Sequence, residues 1–397
     1  MRRPSPRLLY AALLTTLLTA ASAAFAQVDT VSVAVITSRS GVAQAAGASQ
    51  ALAASVWADA TARAGGIYGV AVKVEVEDDG GVPATAVRLA REQVARDVHV
   101  IVCCSTAAAS RAVAQVAEEA GVLLLSPTEL SSFTFDTDPS YWSFALWPDD
   151  TDALSATVAA VLGNGRGTAA LMTLDNEFGE RAAVVLTSLL GYAGMTLDGE
   201  IRYPPGTAEL RPEALLIASH LPGAVVVWGL ADDLHVAVRA LRARGYEGLV
   251  YGRSALLPAS GGGARLGALA DVRFAVPPAI VAERLPAGYV CAQAVTAVGD
   301  SLASAYGGVI DVAAAAPIVD ALDLVARGVE QLLAMQLPPV PVATERQALR
   351  DALVGLPEGC GAGGLLDLQE GRRSAVVPRG LVSVAVGPFG NLLADEW

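Results

Sequence analysis

Lysine, histidine and cysteine are all scarce in this chain. Lys73 is the only lysine among 27 basic residues, and there are 3 histidines and 4 cysteines in 397 residues. Each shortage closes a line of chemistry. No GxxxxGK[ST] loop exists, so the phosphate cradle of nucleotide-binding enzymes is missing. His99, His220 and His235 stand far apart, with no HExxH or similar ligand pair, and no CxxC spacing occurs; metal and redox centres therefore lack support. Positive charge is also short. With 40 acidic residues the formal net charge is −13, which argues against a nucleic-acid partner.

Long apolar runs are confined to the N-terminus. Arg2, Arg3 and Arg7 precede an apolar stretch from Leu8 to about Ala20, and Ala24-Phe25-Ala26 places small residues at a cleavage site before Gln27. This is the pattern of a secretory leader. An uncleaved anchor is the rival reading, but the run is diluted with Thr, Ser and Ala and ends in a processing site. No cysteine stands near the junction, so lipid attachment is not expected. Cleavage after Ala26 leaves about 370 residues and a net charge of −16, expected in the periplasm or an equivalent space.

That length is too great for one core and suits two. From Val31 onward, apolar strands and helices alternate with short polar breaks. Strands are predicted at Val31–Thr37, Val70–Glu77, Val98–Cys103 and Val122–Leu125, with helices at Ala48–Arg63, Ala84–Arg96 and Ala107–Ala120 between them. A stretch rich in proline and aromatic residues, Ser126–Asp150, reads as a crossing. Alternation resumes from Thr168 to Val276, and Pro277-Pro278 reads as the return. Two long helices, about Ala282–Tyr306 and Ala313–Met335, and a short one near Glu345–Leu353 follow. Gly364–Asp367, Ser374–Pro378 and Leu381–Val386 read as antiparallel strands. The predicted fold class is α/β: two doubly wound lobes joined by a multi-strand hinge, one inserted in the other. A leader over 1–26, a first lobe over 27–143 and 278–379, and a second over 144–277 and 380–397 are the expected boundaries.

Cys103 and Cys104 are adjacent, a spacing at which bonded pairs are rare. A Cys291–Cys360 bridge and two buried thiols both remain open, since an oxidising compartment permits the bridge.

Open α/β sheets bind ligands at the carboxyl ends of their strands. At those ends no GxGxxG appears: Gly41 and Gly47 are six apart and neither begins the motif. Gly252-Arg253-Ser254-Ala255-Leu256 follows a strand and approaches a nucleophile elbow, but Leu256 stands where the turn requires glycine. Asp78-Asp79 and Asp149-Asp150 read as solvated turn residues. What is present is suited to binding. Ser105-Thr106-Ala107-Ala108 opens a helix, whose N–H groups and hydroxyls suit a carboxylate. Ser126-Pro127-Thr128-Glu129-Leu130-Ser131 follows the next strand, and Asp175-Asn176-Glu177-Phe178-Gly179 offers a ring from the second lobe.

With these stand Ser40-Gly41, Ala64-Gly65-Gly66-Ile67, Glu77-Asp78-Asp79, Ala117-Glu118-Glu119-Ala120-Gly121-Val122 and Leu241-Arg242-Ala243-Arg244-Gly245. In this order and spacing, from about Val31 to about Gly390, the chain resembles the branched-chain amino-acid-binding (leucine/isoleucine/valine-binding) family of ABC importer receptors, with the type I periplasmic-binding fold. The resemblance implies a monomeric receptor without catalysis or cofactor. It implies a small ligand shut between the lobes and permease subunits as membrane partners. A sensory module of the same fold, or a hydrolase using Ser254, are the alternatives.

The resemblance also implies site residues. The family's serine after the third strand falls at Thr106 or Ala107, beside Ser105. Its carbonyl for the ligand ammonium falls at Thr128, and its threonine two residues on becomes Leu130, next to Ser131. Its tyrosine in the second lobe becomes Phe178. The tyrosine and glutamate that hold the ammonium become Leu230 and Ser254, with Arg253 adjacent. An unpaired ammonium is costly to bury, so an α-amino acid requires Glu129 or Asp175 as a substitute. Arg253 suits a carboxylate or another acceptor.

Overall fold

The computed structural model describes residues 30–130, 141–229, 231–254, 264–286, 288–306, 310–335 and 340–394. A five-stranded sheet carries β1 (Thr30–Thr37), β2 (Ala71–Asp78), β3 (Val100–Cys103), β4 (Leu123–Ser126) and β5 (Ser143–Ala145) in the order β2-β1-β3-β4-β5. All four pairings are parallel. Successive side chains of β1 divide between two cores because strand side chains alternate faces. Val31, Val33 and Val35 join one apolar cluster, and Ala34 and Ile36 the other. Both faces are therefore dry, as a parallel sheet covered by helices requires. The covering helices include α1 (Gln44–Arg63), α2 (Pro83–Val94) and α3 (Ala107–Ala120). Gly47 permits the close seat of α1: a Cβ there would strike the Ser38 carbonyl.

The second sheet has seven strands. α4 (Asp150–Gly163) leads into β6 (Thr168–Leu174), α5 (Glu177–Tyr192), β7 (Thr196–Tyr203), α6 (Arg211–His220) and β8 (Ala224–Trp228). Then follow α7 (Ala231–Ala243), β9 (Leu249–Gly252), the short α8 (Ala264–Gly267) and β10 (Val272–Val276). The chain returns past the first sheet through a 3-10 turn at Pro278–Arg284, α9 (Ala292–Tyr306), α10 (Val312–Met335) and α11 (Val342–Val354). A small hairpin, β11 (Gly359–Gly361) and β12 (Gly364–Leu366), comes next. β13 (Val382–Val386) and β14 (Leu392–Ala394) complete the second sheet, in the order β14-β13-β10-β9-β8-β6-β7. β13 lies antiparallel to β10.

Several sequence-based boundaries are corrected. The expected crossing Ser126–Asp150 contains the short strand β5 and ends, as expected, where α4 begins; the N-terminus of α4 carries a reciprocal capping box between Asp149 and Asp152, a device that starts a helix abruptly. The long helix expected from Ala282 is broken. Leu285 is extended before Pro286, and Gly288 takes a positive φ of 78°, so the helix proper begins at Ala292. Ser374–Pro378 forms only isolated bridges, Ser374 with Ala145 and Val376 with Leu366. The Cys103–Cys104 peptide is cis and brings the two Cα atoms to 3.1 Å. Of the two readings left open for Cys291 and Cys360, the structure takes the bridge, with Cα atoms 5.2 Å apart. Among the described residues no helix is long and apolar enough to cross a membrane.

Candidate ligand-binding cleft

The carboxyl ends of the two sheets face one another, and the segments that follow β3, β4, β6 and β9 meet there. From the first sheet, Ser105 is drawn into its own lobe. Its Oγ receives the Ser38 N–H at 2.8 Å, lies 2.8 Å from Thr37 Oγ1 and donates to Gln50 Oε1 at 2.6 Å. Thr106 is the N-cap of α3 and accepts from Ala109 N at 3.3 Å. Ala107, half-buried, begins the helix. These two positions stand at the positive end of α3, where backbone N–H groups suit an anion.

After β4 the backbone is held by hydroxyls. Ser126 Oγ donates to the Thr128 carbonyl at 2.8 Å, and Thr128 Oγ1 lies 2.8 Å from Ser110 Oγ. The Thr128 carbonyl keeps a second lone pair for a further donor. Leu130 turns inward and is 1% exposed in the first-lobe core. Ser131 and Leu230 lie outside the described residues. Asp175, one of the two acids offered as an ammonium partner, is exposed, whereas Glu129 is half-buried.

The second lobe supplies a fixed guanidinium. Arg253 Nε donates to Asp150 Oδ1 at 2.5 Å and Nη2 to Asp150 Oδ2 at 3.1 Å. Trp228 Nε1 donates to the same Oδ1 at 3.0 Å. Asp150 is 3% exposed and Arg253 8%, so this is a desolvated, two-pronged pair. The Phe178 ring lies beneath it, 5.4 Å from the Arg253 Cζ, within cation–π range. Phe178 is held there by Gly179: a Cβ at 179 would collide with the Leu174 carbonyl, so glycine lets α5 start directly over β6. Ser254, next to Arg253, is buried.

Glu129 closes the cluster. Its Oε2 lies 3.5 Å from Arg253 Nη2, a contact between the first lobe and the second. Burial raises the Glu129 pKa; Arg253 pulls it down, Asp150 pushes it further up, and Arg111 pulls it down. Burial works against the charge of Arg253, but Asp150 and Glu129 outweigh it and leave that pKa raised. Burial lowers the pKa of Arg111, with Glu129 opposing.

Residues 30–373 match the family described as periplasmic binding protein. The chain belongs to that family. No curated protein matches the sequence. Among solved structures, a candidate branched-chain amino acid ABC transporter protein from Rhodospirillum rubrum is 22% identical with a TM-score of 0.68, over 92% of this chain and 100% of that one. An extracellular ligand-binding receptor from Rhodopseudomonas palustris is 21% identical with a TM-score of 0.65, over 92% and 99%. A leucine binding protein from Thermotoga maritima is 16% identical with a TM-score of 0.61, over 92% and 98%. At these identities the likeness establishes the two-lobed α/β fold, and the family implies an extracytoplasmic place for this periplasmic binding protein.

Sequence reasoning missed Asp150, Trp228 and Arg111. The Asp149-Asp150 pair, expected in solvent, is not there: Asp150 is buried, and Asp149 is pushed up to about 7, first by burial and then by Asp152. Asp79, expected in solvent as well, is 1% exposed and accepts from Ser38 Oγ and Gly81 N. The usable signal is the Asp149-x-x-Asp152 spacing, a capping pattern that places Asp150 in a helix's first turn. Tyr203, at the end of β7, is a further omission. Its buried hydroxyl has no partner among the described residues, and burial, then Asp233, raises its pKa. The histidines serve elsewhere: His99 Nε2 lies 2.9 Å from Glu345, and His220 Nδ1 lies 3.3 Å from Asp198.

Proposed function

We propose that this protein is the extracytoplasmic solute receptor of an ABC importer, taking a small amino-acid-like, carboxylate or amide ligand into the inter-lobe cleft. The observation that carries this reading is the approach of Glu129 and Arg253 from opposite lobes over the Phe178 ring. A ligand seated there touches both lobes at once, which is the condition for favouring a closed state over an open one. Asp150 occupies Nε and one Nη2 hydrogen of Arg253, so the guanidinium keeps donors for a ligand carbonyl or carboxylate. Thr106 and Ala107, at the α3 N-terminus, form a second acceptor-binding point. Glu129 and the free lone pair of the Thr128 carbonyl receive an ammonium or amide N–H.

In this reading the leader is removed after Ala26, and the mature receptor works as a monomer that docks on membrane permease subunits. No residue acts in catalysis. The test is a thermal-shift screen against amino acids, amides, aromatic acids and short carboxylates, followed by calorimetry on every hit. A ligand at a hundred times its Kd stabilises by about 2.7 kcal/mol, and Glu129→Gln and Arg253→Gln should each weaken it. An esterase activity abolished by Ser254→Ala would overturn the reading. So would a ligand whose affinity ignores both cleft variants.

A further inference from the structure

A second cavity, of about 360 Å3, opens on the first lobe away from the cleft, between α1, α9, α10 and the β11–β12 hairpin. Its walls are apolar, with Val56, Trp57, Val298 and Leu302 contributing most of the bulk. Its charged groups are two carboxylates, and Ser301 adds a hydroxyl. Asp320, 3% exposed, lines the cavity and accepts the Ala362 N–H at 2.6 Å and the Gly363 N–H at 2.7 Å. Asp323, one helical turn along α10, stands at the more exposed side and accepts from Trp57 Nε1 at 2.7 Å.

The two carboxylates are not equivalent. Burial leaves the Asp323 pKa raised, but the Trp57 hydrogen bond and the Arg327 charge both oppose that rise. Asp320 has no cation beside it among the described residues: its influences are burial, the two backbone donors and the further negative charge of Asp323. A buried carboxylate without a counter-ion is expensive. Two N–H donors leave half of its acceptor sites open. Concave, largely apolar sites of this size with a few convergent polar groups are the usual form of a small-ligand pocket.

We infer that this cavity is a binding site for a small organic ammonium ion, whose charge meets Asp320 and whose apolar body packs against Trp57 and the α9 side chains. The charge is the only one that complements the site, and an aliphatic or aromatic body fits the remaining wall, with the indole adding a cation–π contribution. The hairpin that donates to Asp320 is anchored by the Cys291–Cys360 bridge, and Cys360 itself lines the cavity. This inference stands apart from the receptor reading, because none of the cleft residues lines the cavity.

The test is calorimetry and thermal shift of the full chain with n-butylammonium chloride, against sodium chloride and butyrate at equal ionic strength. Butylammonium should bind and raise Tm, and the two controls should not. Because Asp320 is pushed up to about 7, affinity should be roughly tenfold weaker at pH 6 than at pH 8. Asp320→Asn should abolish binding. Since that variant can also disturb the hairpin, Ala297→Trp, which fills the cavity and keeps the carboxylate, serves as the second. Equal responses to butylammonium and sodium, or retained binding in Ala297→Trp, would overturn the site. Binding lost in Glu129→Gln but kept in Ala297→Trp would move the cation to the cleft and overturn it equally.

Discussion

Glu129 and Arg253 lie 3.5 Å apart although they belong to different lobes and to chain segments 124 residues apart. Their approach depends on Asp150, which fixes the guanidinium from a third segment. The result is a carboxylate–guanidinium–carboxylate arrangement over an aromatic ring, at the place where the two sheets' carboxyl ends meet.

Arg253 is required for stability as well as for binding. Arg253→Met should lower folding stability by about 3–5 kcal/mol, because it strands the buried Asp150 charge. The double variant Arg253→Met/Asp150→Leu should recover much of that loss, since it removes both charges. Urea unfolding of the set gives the coupling directly; a double variant no better than the single would contradict the pairing.

Gly179 controls the position of the ring. Gly179→Ala pushes a Cβ against the Leu174 carbonyl, so α5 must shift, at a cost of about 1–3 kcal/mol. Phe178 moves with it. The expected outcome is a lower unfolding midpoint together with weakened ligand affinity, whereas Gly191→Ala, where no atom lies within 4 Å, should leave both in place.

The Cys291–Cys360 bridge closes a loop of 69 residues. Loop entropy then predicts about 4 kcal/mol of stabilisation. Cys291→Ser/Cys360→Ser should lower Tm by several degrees, and a reductant should reproduce the effect in the native chain. No change of Tm on reduction would show that the bridge does not constrain the unfolded chain.

Stability should fall as pH rises from about 4 to about 7. Asp149 and Asp320 are both pushed up to about 7, in each case first by burial, from an ordinary value of 3.8. Within that window the folded chain keeps protons that the unfolded chain has released, so raising the pH favours unfolding until both groups ionise. The lowered groups Glu75 and Asp78 act in the opposite sense, but below that range. Urea midpoints at pH 5, 6, 7 and 8 should descend, and Asp149→Asn and Asp320→Asn should each flatten the slope. A rising midpoint would refute the assignment.

Much of the architecture is legible in the sequence because it is periodic. The helix Ala107–Ala120 occupies the residues expected of it, and the alternation expected from Thr168 to Val276 begins with β6 and ends with β10 at those residues, since runs of Val, Ala and Leu between polar breaks report burial locally. The site is only half legible. Arg253 and Phe178 stand out by their place after strands, but the partners of Arg253 do not. Asp150 resembles a turn residue because its helix is Ala- and Thr-rich with little amphipathic contrast. Ser105 looks free in the sequence, yet Gln50 and Thr37 engage it from segments 55 and 68 residues away.

The division follows from the range of the forces. Strand–helix alternation, glycine turns and the acidic balance are properties of neighbouring residues or of composition, and the sequence determined them unaided. Which charges neutralise one another depends on which segments the two sheets bring within a few ångströms. The pairing of Glu129, Asp150 and Arg253, the solitary burial of Asp320 and the joining of Cys291 to Cys360 were decided only by the tertiary structure, because desolvation and ion pairing act between residues the chain holds far apart.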